Sequence, residues 1–325
     1  MKEKIILCIQ TISSNLDLMF NKLLVISGPT ATGKTDLAVK LAKKYNGELV
    51  SGDSCQIYKG LDIGTGKDQP KNTPIHLLDL VTPDKKFSVA DFQKIGLKTI
   101  KEIQSRHKLP ILVGCSGFYI DSLINSNYNT FSVKPNKCLR FILKFLSLNT
   151  LQKIYKLLDK NGFSKLNHSD INNHYRLTRK IEIKLFSSKK KSSFEKDTKS
   201  SKVDSFDILH ISLTAPLDYL YQRIDSRVHK RMEMGFLDEI KNLLKKYQWS
   251  DPGMQIAAYQ CLRPYFKKTS SLISCLQSWS YAEHSDARRQ TCWFKTKSNA
   301  TFFDITQKKY DKNIYTLVDK WYNKL

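Results

Sequence analysis

Lys22-Leu-Leu-Val-Ile-Ser-Gly-Pro-Thr-Ala-Thr-Gly-Lys-Thr35 is a short apolar run that turns into a glycine-punctuated loop. Branched residues without polar alternation predict a strand buried on both faces, as in a parallel sheet. The loop fits G-x-x-x-x-G-K-[ST], a pattern that wraps backbone N–H groups around a phosphate. Gly28 and Gly33 permit the turn that points successive N–H groups at one oxyanion. Lys34 adds a point charge, and Thr35 a hydroxyl suited to Mg²⁺. Apolar Leu37, Ala38, Leu41 and Ala42 then recur at helical spacing across Asp36–Tyr45, so a helix N-terminus backs the loop. The motif leaves the phosphate open. It suits the β and γ groups of a nucleotide or a pyrophosphate leaving group.

Further along, Glu48–Ser51 and Leu109–Val113 read as strands, separated by a helix across Val89–Gln104. Ile208–Leu213 is another strand, and long helical patterns follow at Leu217–Lys246 and Leu272–Phe294. Such alternation indicates a parallel α/β sheet. Between 127 and 205 the strand signals vanish and the periodicity is helical. That segment holds roughly half of the net charge in under a quarter of the length, which implies a dedicated surface. Its end, 187–205 (SSKKKSSFEKDTKSSKVDS), reads as a polar loop. The expected fold is therefore α/β: a P-loop NTPase-like parallel sheet core flanked by helices, with a basic helical insertion domain. The core takes residues 20–126 and 206–325, and the insertion 127–205. Residues 1–19 form an N-terminal extension, with Met19 expected as the true start.

The whole chain carries 54 Lys and Arg against 30 Asp and Glu, a net charge of +24. An excess of that size favours a polyanionic partner, because each neutralised phosphate releases counterions. Hydrophobic residues make up 41%, enough for an ordinary core. The seven cysteines are odd in number and show no C-x-x-C spacing, so they read as reduced thiols of a cytoplasmic protein. No apolar run approaches the roughly 18 residues of a membrane span. Asp53, in Ser51-Gly-Asp-Ser-Cys-Gln-Ile-Tyr58, follows a strand at the carboxyl edge where open α/β sheets bind ligands. A carboxylate there can accept a proton from a second substrate, or merely cap the next helix. The Gln56 amide has the donor and acceptor that match an adenine edge.

Several blocks recur in a recognisable order. GPTATGKT (28–35) precedes SGDSCQIYKGLDIGTGKD (51–68), His76-Leu-Leu-Asp79, Phe87-Ser-Val-Ala-Asp-Phe92 and Leu112-Val-Gly-Cys-Ser-Gly-Phe-Tyr119. Leu220-Tyr-Gln-Arg-Ile-Asp-Ser-Arg-Val228, Met234-Gly-Phe-Leu-Asp-Glu-Ile240 and Arg288-Arg-Gln-Thr-Cys-Trp-Phe294 follow. Together they resemble the tRNA dimethylallyltransferases from about Leu23 to Phe294.

The resemblance implies a fold, a reaction and a set of roles. Dimethylallyl pyrophosphate would give its dimethylallyl group to N6 of adenosine 37, beside the anticodon of tRNA, with Mg²⁺ as cofactor. Gly28, Pro29, Thr30, Ala31, Thr32, Gly33, Lys34 and Thr35 would bind the diphosphate, joined by Arg223, with Thr35 on the metal. Asp53 would be the general base, and Thr30 and Arg227 would complete the catalytic set. Asp53, Ser54, Cys55, Gln56 and Ser116 would touch the tRNA. So would Arg140 and, in the Tyr175-Arg-Leu-Thr-Arg179 segment, Tyr175, Arg176 and Arg179, which would lie against the anticodon stem-loop. The expected state is a cytoplasmic monomer without membrane attachment.

Three blocks depart from the family pattern. G-G-T-G is Gly114-Cys-Ser-Gly117 here, with a hydroxyl kept at Ser116. The block ending G-Y-[KR] is Ile256-Ala-Ala-Tyr-Gln260, and the acidic-proline lead into Q-R-L-x-R is Asn173-His174. Three other readings compete. A prenyltransferase acting on free adenine nucleotides would not need the basic helical insertion. A small-molecule kinase would want a carboxylate closing the buried strand for Mg²⁺, but that strand ends in Val113-Gly114. A catalytically idle RNA-binding relative would not need intact Lys34, Thr35 and Asp53.

Overall fold

The computed structural model describes residues 21–67, 70, 73–125, 133, 135–187 and 206–324. The N-terminal extension and the polar loop from 188 to 205 lie outside the described residues. The chain divides into two compact units: Met1–Asn125 with Asp204–Leu325, and Ser126–Val203.

In the first unit the strands are β1 (Lys22–Ser27), β2 (Gly47–Ser51), β3 (Ile75–His76), β4 (Leu109–Val113), β5 (Asp207–Thr214) and β6 (Thr301–Asp304). Among the described residues they form one sheet of order β3-β2-β4-β1-β5-β6, and every pairing is parallel. The helices that precede the second unit are α1 (Lys34–Lys44), α2 (Val89–Ser105) and α3 (Gly117–Ile124). The second unit holds α4 (Lys137–Lys144), α5 (Leu148–Leu158), α6 (Lys160–Ser164), α7 (His168–Ile171) and α8 (His174–Ser187). Back in the first unit come α9 (Leu217–Glu233), α10 (Phe236–Leu244), α11 (Ala257–Phe266), α12 (Leu272–Lys297) and α13 (Tyr310–Tyr322).

The apolar run of β1 is explained by what it separates. Leu23 and Val25 face a core shared with α2, α3 and α9–α12, whereas Leu24 and Ile26 face a second core shared with α1 and α13. Period-2 geometry sends successive side chains to opposite faces, so a strand covered on both sides must be apolar throughout. The sheet is thus sandwiched between helical layers. Because all strands run the same way, the loops after β1, β2 and β4 emerge at one edge, and these three strands are neighbours.

Two elements differ from the sequence expectation. The pattern across 217–246 is two helices, broken at Gly235, which has φ +93°. Left-handed backbone suits glycine because it lacks a Cβ. Helix α1 begins two residues earlier than its apolar spacing suggests, with Gly33 as N-cap at φ +82°.

The second unit has its own small core of Leu143, Leu151, Tyr155, Leu177 and Ile181. Beside it, the fully buried Glu182 carboxylate gathers donors. It accepts from Arg140 Nε and Nη2 at 3.0 and 2.7 Å, from Arg179 Nη1 at 2.5 Å, and from the Asn136 N–H. Burial pushes its pKa up, but Arg140, Asn136 and Arg179 outweigh that and leave it lowered.

Candidate active site

The loops after β1, β2 and β4 enclose a cavity of about 540 Å³ in the first unit. Six lysine or arginine side chains line it (Lys34, Lys67, Arg223, Arg227, Lys230 and Arg231) against two aspartates, Asp36 and Asp53. That imbalance suits a multiply charged anion.

The phosphate loop is held by sterics. A Cβ on Gly28 would stand 2.3 Å from the Leu213 carbonyl oxygen, and φ there is +133°. Inside the loop, Thr32 Oγ1 donates to the Pro29 carbonyl at 2.8 Å, and Lys34 Nζ donates to the same oxygen at 2.6 Å. Burial lowers the Lys34 pKa to about 8, with Arg227 adding to the effect and Cys115 and Asp53 opposing it. The Thr30 N–H is taken by Gln290 Oε1 of α12 at 2.8 Å, and its hydroxyl accepts from Arg227 Nη2 at 2.5 Å.

Helix α9 supplies the arginines. Arg223, Arg227 and Arg231 recur every four residues and therefore share one helix face. Glu283 of α12 takes Arg227 at 3.1 Å and Arg231 at 3.3 Å, and also accepts from Trp279 Nε1 at 3.2 Å. One carboxylate thus aligns two guanidinium groups. Arg223 is looser, near the Tyr219 ring and hydroxyl. The family resemblance points to Arg223 and Arg227; Arg231 is legible only through its four-residue spacing from them.

Asp53 sits just past β2, and both its oxygens are engaged. Oδ1 accepts the Cys55 N–H at 2.9 Å, and Oδ2 accepts the Cys115 thiol at 3.0 Å. Ser116 joins the same strand ends: its hydroxyl accepts the Ser54 N–H at 2.9 Å and meets the Ser54 hydroxyl at 3.0 Å. The Gln56 amide is used locally, accepting from Ser51 Oγ at 2.9 Å and donating to the Gly66 carbonyl at 3.1 Å. The Cys55 thiol is pushed up by burial and by the neighbouring Asp53.

The divergent Gly114-Cys-Ser-Gly117 block has a steric logic. A Cβ on Gly114 would lie 2.4 Å from the Gly52 carbonyl, and one on Gly117 would lie 2.1 Å from the Trp293 ring. The outer positions therefore demand glycine, whereas Cys115 turns its side chain onto Asp53.

The Gly60–Lys67 loop completes the wall. Glu239 accepts the N–H groups of Asp62, Ile63 and Gly64 at 3.0, 2.6 and 3.1 Å, and the Tyr259 hydroxyl at 2.6 Å. Lys67, another cavity residue not singled out from sequence, is buried against Asp62 and Asp79 at 2.8 and 2.5 Å. In the second divergent block, Tyr259 is wholly buried and Gln260 donates to the Trp249 and Met254 carbonyls.

Among the other expected contacts, Tyr175 is exposed, with the Arg140 guanidinium 5.7 Å from its ring centre. Arg176 is half exposed and pairs with Asp170 at 3.1 Å. Arg140 and Arg179 direct their forks at Glu182. Tyr58 and Tyr119 belong to the core, while Phe118 is exposed.

Thr35 lines the cavity and makes no side-chain hydrogen bond to a described residue. Among the described residues no group of three or more His, Cys, Asp or Glu could hold a metal ion. One free hydroxyl suits Mg²⁺, which keeps most of its shell as water and substrate phosphate oxygens. The described cysteines are free thiols, and no described helix is long and apolar enough to cross a membrane.

The IPP transferase family profile matches residues 56–297. A curated relative from Halalkalibacterium halodurans, named tRNA dimethylallyltransferase, is 35% identical over 91% of this chain and 95% of its own length. One of the same name from Anoxybacillus flavithermus is 35% identical over 89% and 92%. The crystal structure of the full-length tRNA isopentenylpyrophosphate transferase from Bacillus halodurans matches at a TM-score of 0.68 and 32% identity, covering 93% of this chain and 97% of that one. A eukaryotic dimethylallyltransferase solved acting on tRNA matches at 0.76 and 25% identity, over 92% and 78%.

Proposed function

The chain belongs to the IPP transferase family, and from that premise we propose that it prenylates tRNA. It transfers a dimethylallyl group from dimethylallyl pyrophosphate to N6 of adenosine 37, next to the anticodon, and releases pyrophosphate. One observation carries this reading. A carboxylate, Asp53, shares a single cavity with a phosphate loop and an arginine face.

The adenine amino group is a weak nucleophile because its lone pair is delocalised into the ring. The reaction therefore depends on making the diphosphate a good leaving group. Loop N–H groups, Lys34 and the arginines of α9 stabilise the charge that develops there. Arg227 bonds the Thr30 hydroxyl, so both present donors to the same phosphate. Asp53 takes the amino proton as the C–N bond forms. Mg²⁺ held by Thr35 and the diphosphate would supply further positive charge to the leaving group. The target base must leave its stack to reach the cavity, at a cost of a few kcal/mol that a loop nucleotide lessens.

Ser54, Cys55, Gln56 and Ser116 surround Asp53 and take the acceptor base and its neighbours. The exposed Tyr175 and Arg176 of the second unit take the anticodon stem-loop, and Arg140 and Arg179 support that surface through Glu182. The protein acts as a cytoplasmic monomer, where free thiols persist and tRNA is present.

The test is transfer of labelled dimethylallyl from its pyrophosphate, with Mg²⁺, into unmodified tRNA and into free AMP side by side. Label in tRNA alone supports the reading. Label in AMP alone, or in neither, contradicts it.

A further inference from the structure

We propose that Cys115 is a positioning residue for the transfer, its thiol fixing the Asp53 carboxylate for proton abstraction. The inference rests on the role given to Asp53 above.

Two donors clamp that carboxylate from different strands. The Cys55 N–H, beyond β2, holds Oδ1 at 2.9 Å, and the Cys115 thiol, beyond β4, holds Oδ2 at 3.0 Å. Each carboxylate oxygen has two acceptor sites, so one on each stays open for the incoming amine. With both oxygens tied, the carboxylate plane cannot rotate. The strand ends themselves are locked, because Gly114 packs on the Gly52 carbonyl too tightly for any Cβ.

Sulfur suits this task. A thiol is a weak donor, so it orients the carboxylate while withdrawing little of its basicity. A hydroxyl or ammonium in its place would stabilise the charged form more and make Asp53 a poorer base. Burial, and then the negative charge of Asp53, push the Cys115 thiol well above its ordinary range. It therefore stays protonated, and remains a donor, at any working pH. The other ionisable groups that face Asp53 are Lys34 of the phosphate loop, Cys55 in the same loop after β2, Tyr119 of α3 and Asp286 of α12. None of the hydrogen bonds to the Asp53 carboxylate comes from these side chains, so Cys115 is the side chain that orients it.

The experiment compares the wild type with Cys115→Ala and Cys115→Ser, using dimethylallyl pyrophosphate and unmodified tRNA. It records kcat and KM for both substrates across the pH range, and thermal unfolding of each protein. For Cys115→Ala, kcat falls by about 10²-fold, the order expected when a reacting group is misplaced. KM for dimethylallyl pyrophosphate stays within about twofold, since the phosphate loop is untouched, on the same positional argument. The acid limb of kcat moves only slightly to higher pH, because the donor that the carboxylate loses is a weak one. Cys115→Ser restores part of kcat and moves the acid limb below that of the wild type, because its hydroxyl donates more strongly. An unchanged kcat and acid limb in Cys115→Ala overturns the inference while leaving the transferase reading intact. Should Cys115→Ala fail to fold, an acid limb in Cys115→Ser identical to the wild type overturns it. A wild type that prenylates no tRNA defeats the reading itself.

Discussion

Arg227 meets the Thr30 hydroxyl and the Glu283 carboxylate with one nitrogen, at 2.5 and 3.1 Å. A guanidinium has five N–H donors and keeps three for the cavity that Arg227 lines, whereas an ammonium has three in all and would keep one. Arg227→Lys is therefore expected to lower kcat by about 10²-fold, the order seen when one preorganised donor is lost. Steady-state kinetics check this, with circular dichroism showing that the fold is kept. Far from the chemistry, Glu48 illustrates a structural charge. Burial alone would raise its pKa, but Lys108, Arg106 and His76, at 2.8, 2.6 and 2.6 Å, hold it at about 2. The folded value lies below the unfolded one, so this group stabilises the protein above pH 4.5 and loses that contribution as pH falls towards 2. Glu48→Gln should cost about 2 kcal/mol at neutral pH, with the deficit shrinking through that acid window. Denaturant melts at several pH values would show it, and a deficit independent of pH would refute the linkage.

At the level of elements, legibility followed length and periodicity. The unbroken apolar run of β1 and the phosphate loop after it were readable because both carry strong local signals. The two-residue β3 is too short for any period, and the four-residue β6 lies at the sheet edge with half its residues exposed. The break at Gly235 is hard to read because a lone glycine within a helical pattern is ordinarily tolerated. Residues on the phosphate loop and beyond β2 were found by motif. Cys115, Glu283, Gln290 and Lys67 were not, since their parts depend on strands and helices distant in sequence. Two predictions belong here. Gly28→Ala should destabilise the protein by at least about 2 kcal/mol, because the new Cβ meets the Leu213 carbonyl in backbone that disfavours it. Glu239→Ala strips an acceptor from three successive N–H groups of the Gly60–Lys67 loop and should cost about 3 kcal/mol. Hydrogen exchange at Asp62–Gly64 would rise in that variant, whereas unaltered protection would contradict the assignment.

Across the whole molecule, the α/β class is legible in the alternation of strand and helix signals, and the all-parallel sheet agrees with it. The charge of +24 was legible from composition, but its use depends on where it lies. Part of the positive charge of the second unit is spent internally, with Arg140 and Arg179 on Glu182, which sequence alone does not show. Binding of tRNA should weaken on the order of 10³-fold between roughly 50 and 200 mM salt, if about six phosphates are neutralised. Filter binding at graded salt measures that slope. If Asp53 acts on the acceptor while the phosphate loop holds the donor, Asp53→Asn separates the two roles. Single-turnover transfer into tRNA and the affinity for dimethylallyl pyrophosphate would be measured on the same preparation. The rate should fall by about 10²- to 10⁴-fold, the range for a general base, with affinity essentially unchanged. An undiminished rate, or a loss explained by weaker donor binding, would contradict that division of roles.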